Sequence, residues 1–183
     1  KDGITRAQAF KAMALAVATK EECASREKER GSSYFSAKEK DNWFVKYMDY
    51  LYDEGYLDEE LTPPTLSAAQ GYLTYQEAAF MAGQVSGRLK LEARATKHNK
   101  DRAFPEEEWW RLYEGIRSQT DPDGAVKMVD AVLYGTPSNL PQAESWTAYT
   151  TEGNFGFQGL ALDAYLDCEI RFLARDGEMI AMR

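Results

Sequence analysis

Apolar residues recur at three- and four-residue spacing after two related phrases. Behind Thr5 they fall at Ala9, Phe10, Met13, Ala14 and Val17; behind Thr74 they fall at Ala78, Ala79, Met81, Ala82 and Val85. That period places each set on one face of a helix. The phrases themselves are Gly3-Ile4-Thr5-Arg6-Ala7-Gln8 and Tyr72-Leu73-Thr74-Tyr75-Gln76-Glu77. In each, an apolar residue precedes the Thr, and Gln or Glu follows it by three positions. This is a capping box: the Thr hydroxyl accepts from the N3 amide while the N3 side chain reaches back to the N-cap amide. A helix start used twice points to a repeated supersecondary unit.

Between the two phrases, Trp43, Tyr47, Tyr50 and Leu51 share a face over about residues 41–54, with Gly55 as a C-terminal stop. The charged stretch 20–33 extends the first helix or forms a solvated linker. Pro63-Pro64 and Gly71 predict an extended loop. Further on, Phe104-Pro105 opens another helix. Its acids Glu106, Glu107 and Glu108 suit the positive end of the helix dipole, and Trp109, Leu112, Tyr113 and Ile116 form its apolar face. Thr120-Asp121 is expected to start a third repeat helix carrying Val126, Met128, Val129 and Val132. After Pro141 the period becomes two. Leu166, Cys168, Ile170 and Phe172 alternate with polar residues, which puts Cys168 on the apolar face, and Arg175-Asp176-Gly177-Glu178 reads as a hairpin turn. Strands are also expected around 146–150 and 154–160. The expected fold is mainly α: helix–loop–helix repeats over 1–140 (units of about 1–33, 34–96 and 97–140), with a small antiparallel β element over 141–183.

Composition narrows the function classes. With 44% hydrophobic residues in 183, the chain can bury a core. Its net charge of −8 lacks the basic stripe that nucleic acid or an anionic membrane surface would require. No apolar run reaches the ~18 residues of a membrane span. Cys23 and Cys168 allow at most one bridge. The chain opens on Lys1 rather than Met, and the expectation is an exported protein whose signal peptide has been removed.

Ile4-Thr5-Arg6-Ala7-Gln8 resembles the Ile-Thr-Arg-Ala-Glu signature of the S-layer homology (SLH) domain, and Phe35, Trp43, Tyr50, Leu51, Gly55 and Tyr56 fall where that family's aromatic residues and Gly-Tyr loop lie. The resemblance covers about residues 3–135. It implies three helical units about a pseudo-threefold axis and non-covalent attachment of an exported protein to cell-wall polysaccharide. It also implies an extracellular, wall-associated location, and an arginine in each unit's phrase that binds acidic sugar. Here that arginine occurs once, as Arg6; Tyr75 and Asp121 stand at the other two positions. The Gly-Tyr loop reads Gly55-Tyr56-Leu57-Asp58-Glu59. The tail from Trp146, including Gly153-Asn154-Phe155-Gly156-Phe157, is similar to the segment that in some clostridial proteins leads to a sporulation protein D or amidase-enhancer domain.

The glycan-binding candidates are therefore Arg6, Trp43, Tyr56 and Tyr75. Arg6 suits a sugar carboxylate or pyruvyl group through its planar fork; the alternative is a solvated charge in a first turn. Aromatics at helical spacing such as Trp43 suit a core as well as a stacking platform. Tyr56 and Tyr75 sit at a loop and a helix start and are better placed for ligand. Glu106, Glu107 and Glu108 beside two Trp residues raise a glycosidase, but sequence neighbours cannot flank a substrate. Asp121-Pro122-Asp123-Gly124 lacks the ligands of a calcium loop. His98 is the only His and lies in a polar connector, so no zinc site or nucleophile pair is expected. No catalytic residue, metal or cofactor is expected. The expected function is a non-catalytic envelope module with wall polysaccharide or peptidoglycan as partner. The alternative is a protein-interaction scaffold of a sporulation or peptidoglycan-remodelling protein, bound to another envelope protein, with sugar binding lost.

Overall fold

Threonine and serine hydroxyls set most of the helix starts. In the computed structural model, which describes residues 2–183, α1 spans Arg6–Val17, α2 Lys20–Ala24, α3 Arg26–Arg30, α4 Val45–Asp53, α5 Leu66–Gln70, α6 Tyr75–Val85, α7 Gly87–Glu92 and α8 Glu106–Thr120. Thr5, Thr19, Thr65, Thr74 and Ser86 each accept a hydrogen bond from the N3 amide of the helix they precede. Thr19–Glu22 and Thr74–Glu77 form complete capping boxes. The helices belong to one compact unit that ends at Pro122; Asp123–Arg183 form a second.

Three extended helix starts close a ring at the base of the helical unit. The Arg6 amide donates to Gly71 O at 2.8 Å, the Tyr75 amide to Arg102 O at 3.1 Å, and the Glu106 amide to Asp2 O. Isolated bridges join Thr5 with Tyr72, Thr74 with Ala103, and Gly3 with Pro105. Each start thus pairs with the next in the same register, and the third pairs back with the first. The central residues Ile4, Leu73 and Phe104 are buried together with Phe10, Met13, Tyr47, Met81, Trp109 and Tyr113. The third member of the ring is Ala103-Phe104-Pro105, ahead of α8, and not Thr120-Asp121.

The second unit is a closed five-stranded barrel. Its strands are β1 (Lys127–Gly135), β2 (Thr147–Thr150), β3 (Gly153–Gly156), β4 (Cys168–Arg175) and β5 (Glu178–Met182), with a short 3-10 turn at Asp163–Tyr165. The order around the barrel is β1-β2-β3-β5-β4, antiparallel except for the β3–β5 contact. Strand β4 returns beside β1, which is a Greek-key connection. Leu133, Ala148, Phe157, Leu162, Ile170, Phe172 and Met179 fill the interior.

These findings correct the expected fold. The chain is 39% helix and 20% strand, with a five-stranded mixed sheet, so it is not mainly α with a small β appendage. The residues assigned to a third repeat helix form β1, whose pairing with β4 runs from Lys127↔Ala174 to Leu133↔Cys168. Val126, Val129 and Val132 fit a helical face by spacing, but β-branched residues suit a pleated surface, and partners some forty residues away settle the matter. Cys168 is exposed, not core: it lies at the first residue of β4, and burial on that strand begins at Ile170.

Candidate functional site

Arg6 is the first residue of α1 and lies against the start of α6. Its Nε stands 2.8 Å from both carboxylate oxygens of Glu77, and its Nη1 donates to Ala68 O at 3.0 Å. Glu77 is buried, with 1% of its side chain exposed, against 20% for Arg6. The carboxylate also accepts from the Thr74 amide at 2.9 Å, from the Thr74 hydroxyl at 3.1 Å, and from the buried Thr62 hydroxyl. Four donors around one carboxylate explain how it is tolerated inside the protein. Thr62 in turn takes the Tyr52 hydroxyl on its carbonyl oxygen. Burial pushes the Tyr52 phenol pKa up, so it remains a donor.

The backbone makes room for this cluster at Gly71. A Cβ there would stand 2.8 Å from Arg6 Nη1. The result is a guanidinium oriented on one edge by Glu77 and Ala68, with part of its side chain in solvent and, among the described residues, no partner for the rest of its donor fork.

The other candidates sit elsewhere. Tyr75, beside Arg6's partner helix start, is half-buried and packs edge-on against Phe104 at 5.0 Å. Trp43 is half-buried, edge-on to Phe44 and Tyr47, with Lys11 Nζ 5.8 Å from its ring. Tyr56 follows Gly55, whose φ of +83° makes the turn, and is half-buried; burial pushes its phenol pKa up. No hydrogen bond or ring contact joins Trp43 or Tyr56 to Arg6.

Sequence reasoning missed Glu77 as a partner of Arg6, although it identified both as helix-start residues. Thr62 carries no signal in the sequence, and Gly71 reads there only as part of an extended loop. A cleft of about 520 Å³ is lined by residues of α7 and α8; there Arg88 pairs with Glu92 and Arg94 with Glu108, and Arg111 and the exposed Leu91 also line it. Among the described residues, no group of three His, Cys, Asp or Glu is placed to hold a metal, and no helix is long and apolar enough to cross a membrane. No family model, curated protein or solved structure matches this chain.

Proposed function

We propose that the chain is a non-catalytic module of the cell envelope that holds an acidic wall polysaccharide at Arg6, and so anchors or positions a larger exported protein. The observation that supports this is the Arg6 geometry: a partly exposed guanidinium fixed by a buried carboxylate and a carbonyl, leaving donors for a sugar carboxylate. Orienting the fork beforehand removes part of the ordering cost of binding. The resemblance of Ile4–Gln8 to the SLH signature points to the same ligand class and to an extracellular, wall-associated setting.

The second reading, a protein-interaction scaffold with glycan binding lost, draws on the same pair. Much of Arg6's hydrogen bonding is already spent inside the protein, and Tyr75 replaces the corresponding arginine in the second phrase.

Equilibrium binding of the full chain to purified wall polysaccharide, before and after chemical reduction of its carboxylates, tests the proposal. Saturable, salt-sensitive binding is expected. Reduction of the carboxylates should weaken it, and Arg6→Lys should weaken it about 10-fold, since lysine keeps the charge and loses the fork. Equal binding of the reduced polymer, or an unchanged affinity of Arg6→Lys, defeats the glycan reading and leaves the scaffold.

A further inference from the structure

We propose that the barrel carries a separate binding site for a neutral saccharide, built on Trp146 and Asp163. The site is independent of Arg6. It is a cleft of about 670 Å³ whose walls include Thr136, Ser138, Trp146, Phe157, Leu160 and Asp163. They come from the loop between β1 and β2 and from the segment that follows β3.

Trp146 is presented, not buried. It is 41% exposed and has a φ of +55°, the left-handed region that a bulky side chain rarely adopts. Two contacts hold it there. Its carbonyl accepts the Phe157 amide at 2.9 Å, and its ring meets that of Phe157 edge-on at 5.2 Å and 70°. Strain of this kind is retained where the surroundings enforce it, and it is a reason to look for a ligand.

In the same cleft, the Asp163 carboxylate is fixed through one oxygen. Oδ1 accepts from the Thr136 hydroxyl at 3.0 Å and from the Ser138 hydroxyl at 2.9 Å, and those two hydroxyls lie 2.9 Å from each other. Oδ2 remains available to solvent-borne donors. An oriented acceptor and an exposed indole lining one cleft suit a pyranose ring, whose C–H face would lie on the aromatic surface while its hydroxyls donate to the carboxylate. Among the described residues, Asp163 is the only ionisable group lining the cleft, so an acidic sugar would meet a like charge. Nucleic acid is disfavoured for the same reason: Asp123–Arg183 holds nine Asp and Glu against four Lys and Arg. The ligand class is therefore a neutral hexose or N-acetylhexosamine chain.

Calorimetric titration of the full chain with β-1,4-linked tetramers of glucose and of N-acetylglucosamine tests this and separates the two sugar types. Saturable binding of at least one tetramer is expected. Trp146→Gly should lower that affinity at least 10-fold while the melting temperature holds or rises, because glycine accepts the left-handed backbone. Asp163→Asn, which keeps an oxygen for Thr136 and Ser138 but turns the outward acceptor into a donor, should also weaken it. Arg6→Lys should leave it unchanged. Absence of saturable binding to both tetramers overturns the proposal, as does an unchanged affinity of Trp146→Gly. Loss of wall-polysaccharide binding with tetramer binding intact would fault the Arg6 reading alone.

Discussion

Arg6 Nε and the Glu77 carboxylate meet at 2.8 Å across 71 residues of sequence, and the contact ties the start of α1 to the start of α6. Both residues are in the first turn of their helices, so one partly buried charge pair fixes two helix starts at once. The pair is asymmetric. Glu77 has three further donors from Thr62 and Thr74, whereas among the described residues Arg6 has only Ala68 O besides Glu77.

Unequal costs follow on removing either side. Glu77→Ala strips the capping box, takes the charge partner from Arg6 and leaves the buried Thr62 hydroxyl without its acceptor, which should cost about 3–5 kcal/mol. Arg6→Ala leaves a carboxylate that keeps its other donors, and should cost about 1.5–3 kcal/mol. Urea unfolding of the two variants checks the order. An Arg6→Ala loss larger than that of Glu77→Ala would contradict the assignment of Glu77 as the hub.

The acid side chain of Asp49 gives a pH dependence of definite sign. Burial pushes its carboxyl pKa up, opposed by hydrogen bonds from the Ser33 hydroxyl and the Tyr34 amide, each 3.1 Å from Oδ1. The folded state then binds the proton more tightly than the unfolded chain. Its contribution is complete below the unfolded value of about 4 and is lost as pH rises through the folded value. Asp49→Asn retains an oxygen for both donors. Its stability relative to the wild type should therefore increase between about pH 4 and pH 7. A difference that stays flat with pH would rule out this account.

Tyr50 acts at the other end of the scale. Burial, with the Glu54 carboxylate adding to it, pushes the phenol up to about 12. Unfolded tyrosine ionises near 10, so stability should fall as pH rises from about 10 towards 12. Tyr50→Phe keeps the ring beneath Arg26, whose guanidinium lies 4.5 Å from it. The variant should show a shallower alkaline loss in melts followed by circular dichroism.

How much of this was legible depended on whether a side chain itself carried the signal. Thr5 and Thr74 announced their helices because a hydroxyl and a carboxamide or carboxylate three residues later are visible in sequence. Pro105 has no side-chain acceptor, and its helix lacks a side-chain cap, so the third member of the ring went unrecognised. The ring itself rests on backbone hydrogen bonds such as Phe104 N to Leu73 O, which no side chain encodes. The hairpin of β4 and β5 was legible from its turn. Strand β1 was not, because short apolar runs with three-residue spacing fit a helix until their partner strand is known. At the candidate site, Arg6 stood out by resemblance, while Glu77 looked like a cap and nothing more. Trp146 was assigned to a strand, when it lies just before one.

The two thiols should separate cleanly. Cys23 is buried at 1% exposure and Cys168 is exposed; neither is in a disulfide. Under native conditions a thiol reagent should consume one equivalent quickly, and Cys168→Ser should abolish that phase. The second equivalent should appear only on unfolding. Fast reaction of both thiols in the native protein would contradict the buried position of Cys23.

Gly156 offers a test of barrel closure. Strands β3 and β5 meet through a single registered pair, Gly156 and Glu178, and the Gly156 amide donates to Gly177 O at 2.8 Å. A Cβ on Gly156 would stand 2.1 Å from Glu178 Oε1 and 2.9 Å from Cδ. Glu178 has no easy retreat, because it is 1% exposed and its Oε2 accepts the Gln158 amide at 3.2 Å. Gly156→Ala should therefore cost about 1–3 kcal/mol, the usual range for overpacking. Shortening the obstructing side chain should remove most of that cost. In a double-mutant cycle, Gly156→Ala is expected to be nearly neutral in a Glu178→Ala background, giving a coupling of about 1 kcal/mol or more. Additive losses would mean that the carboxylate moves aside freely, and that contact with it is not what requires glycine at this closure.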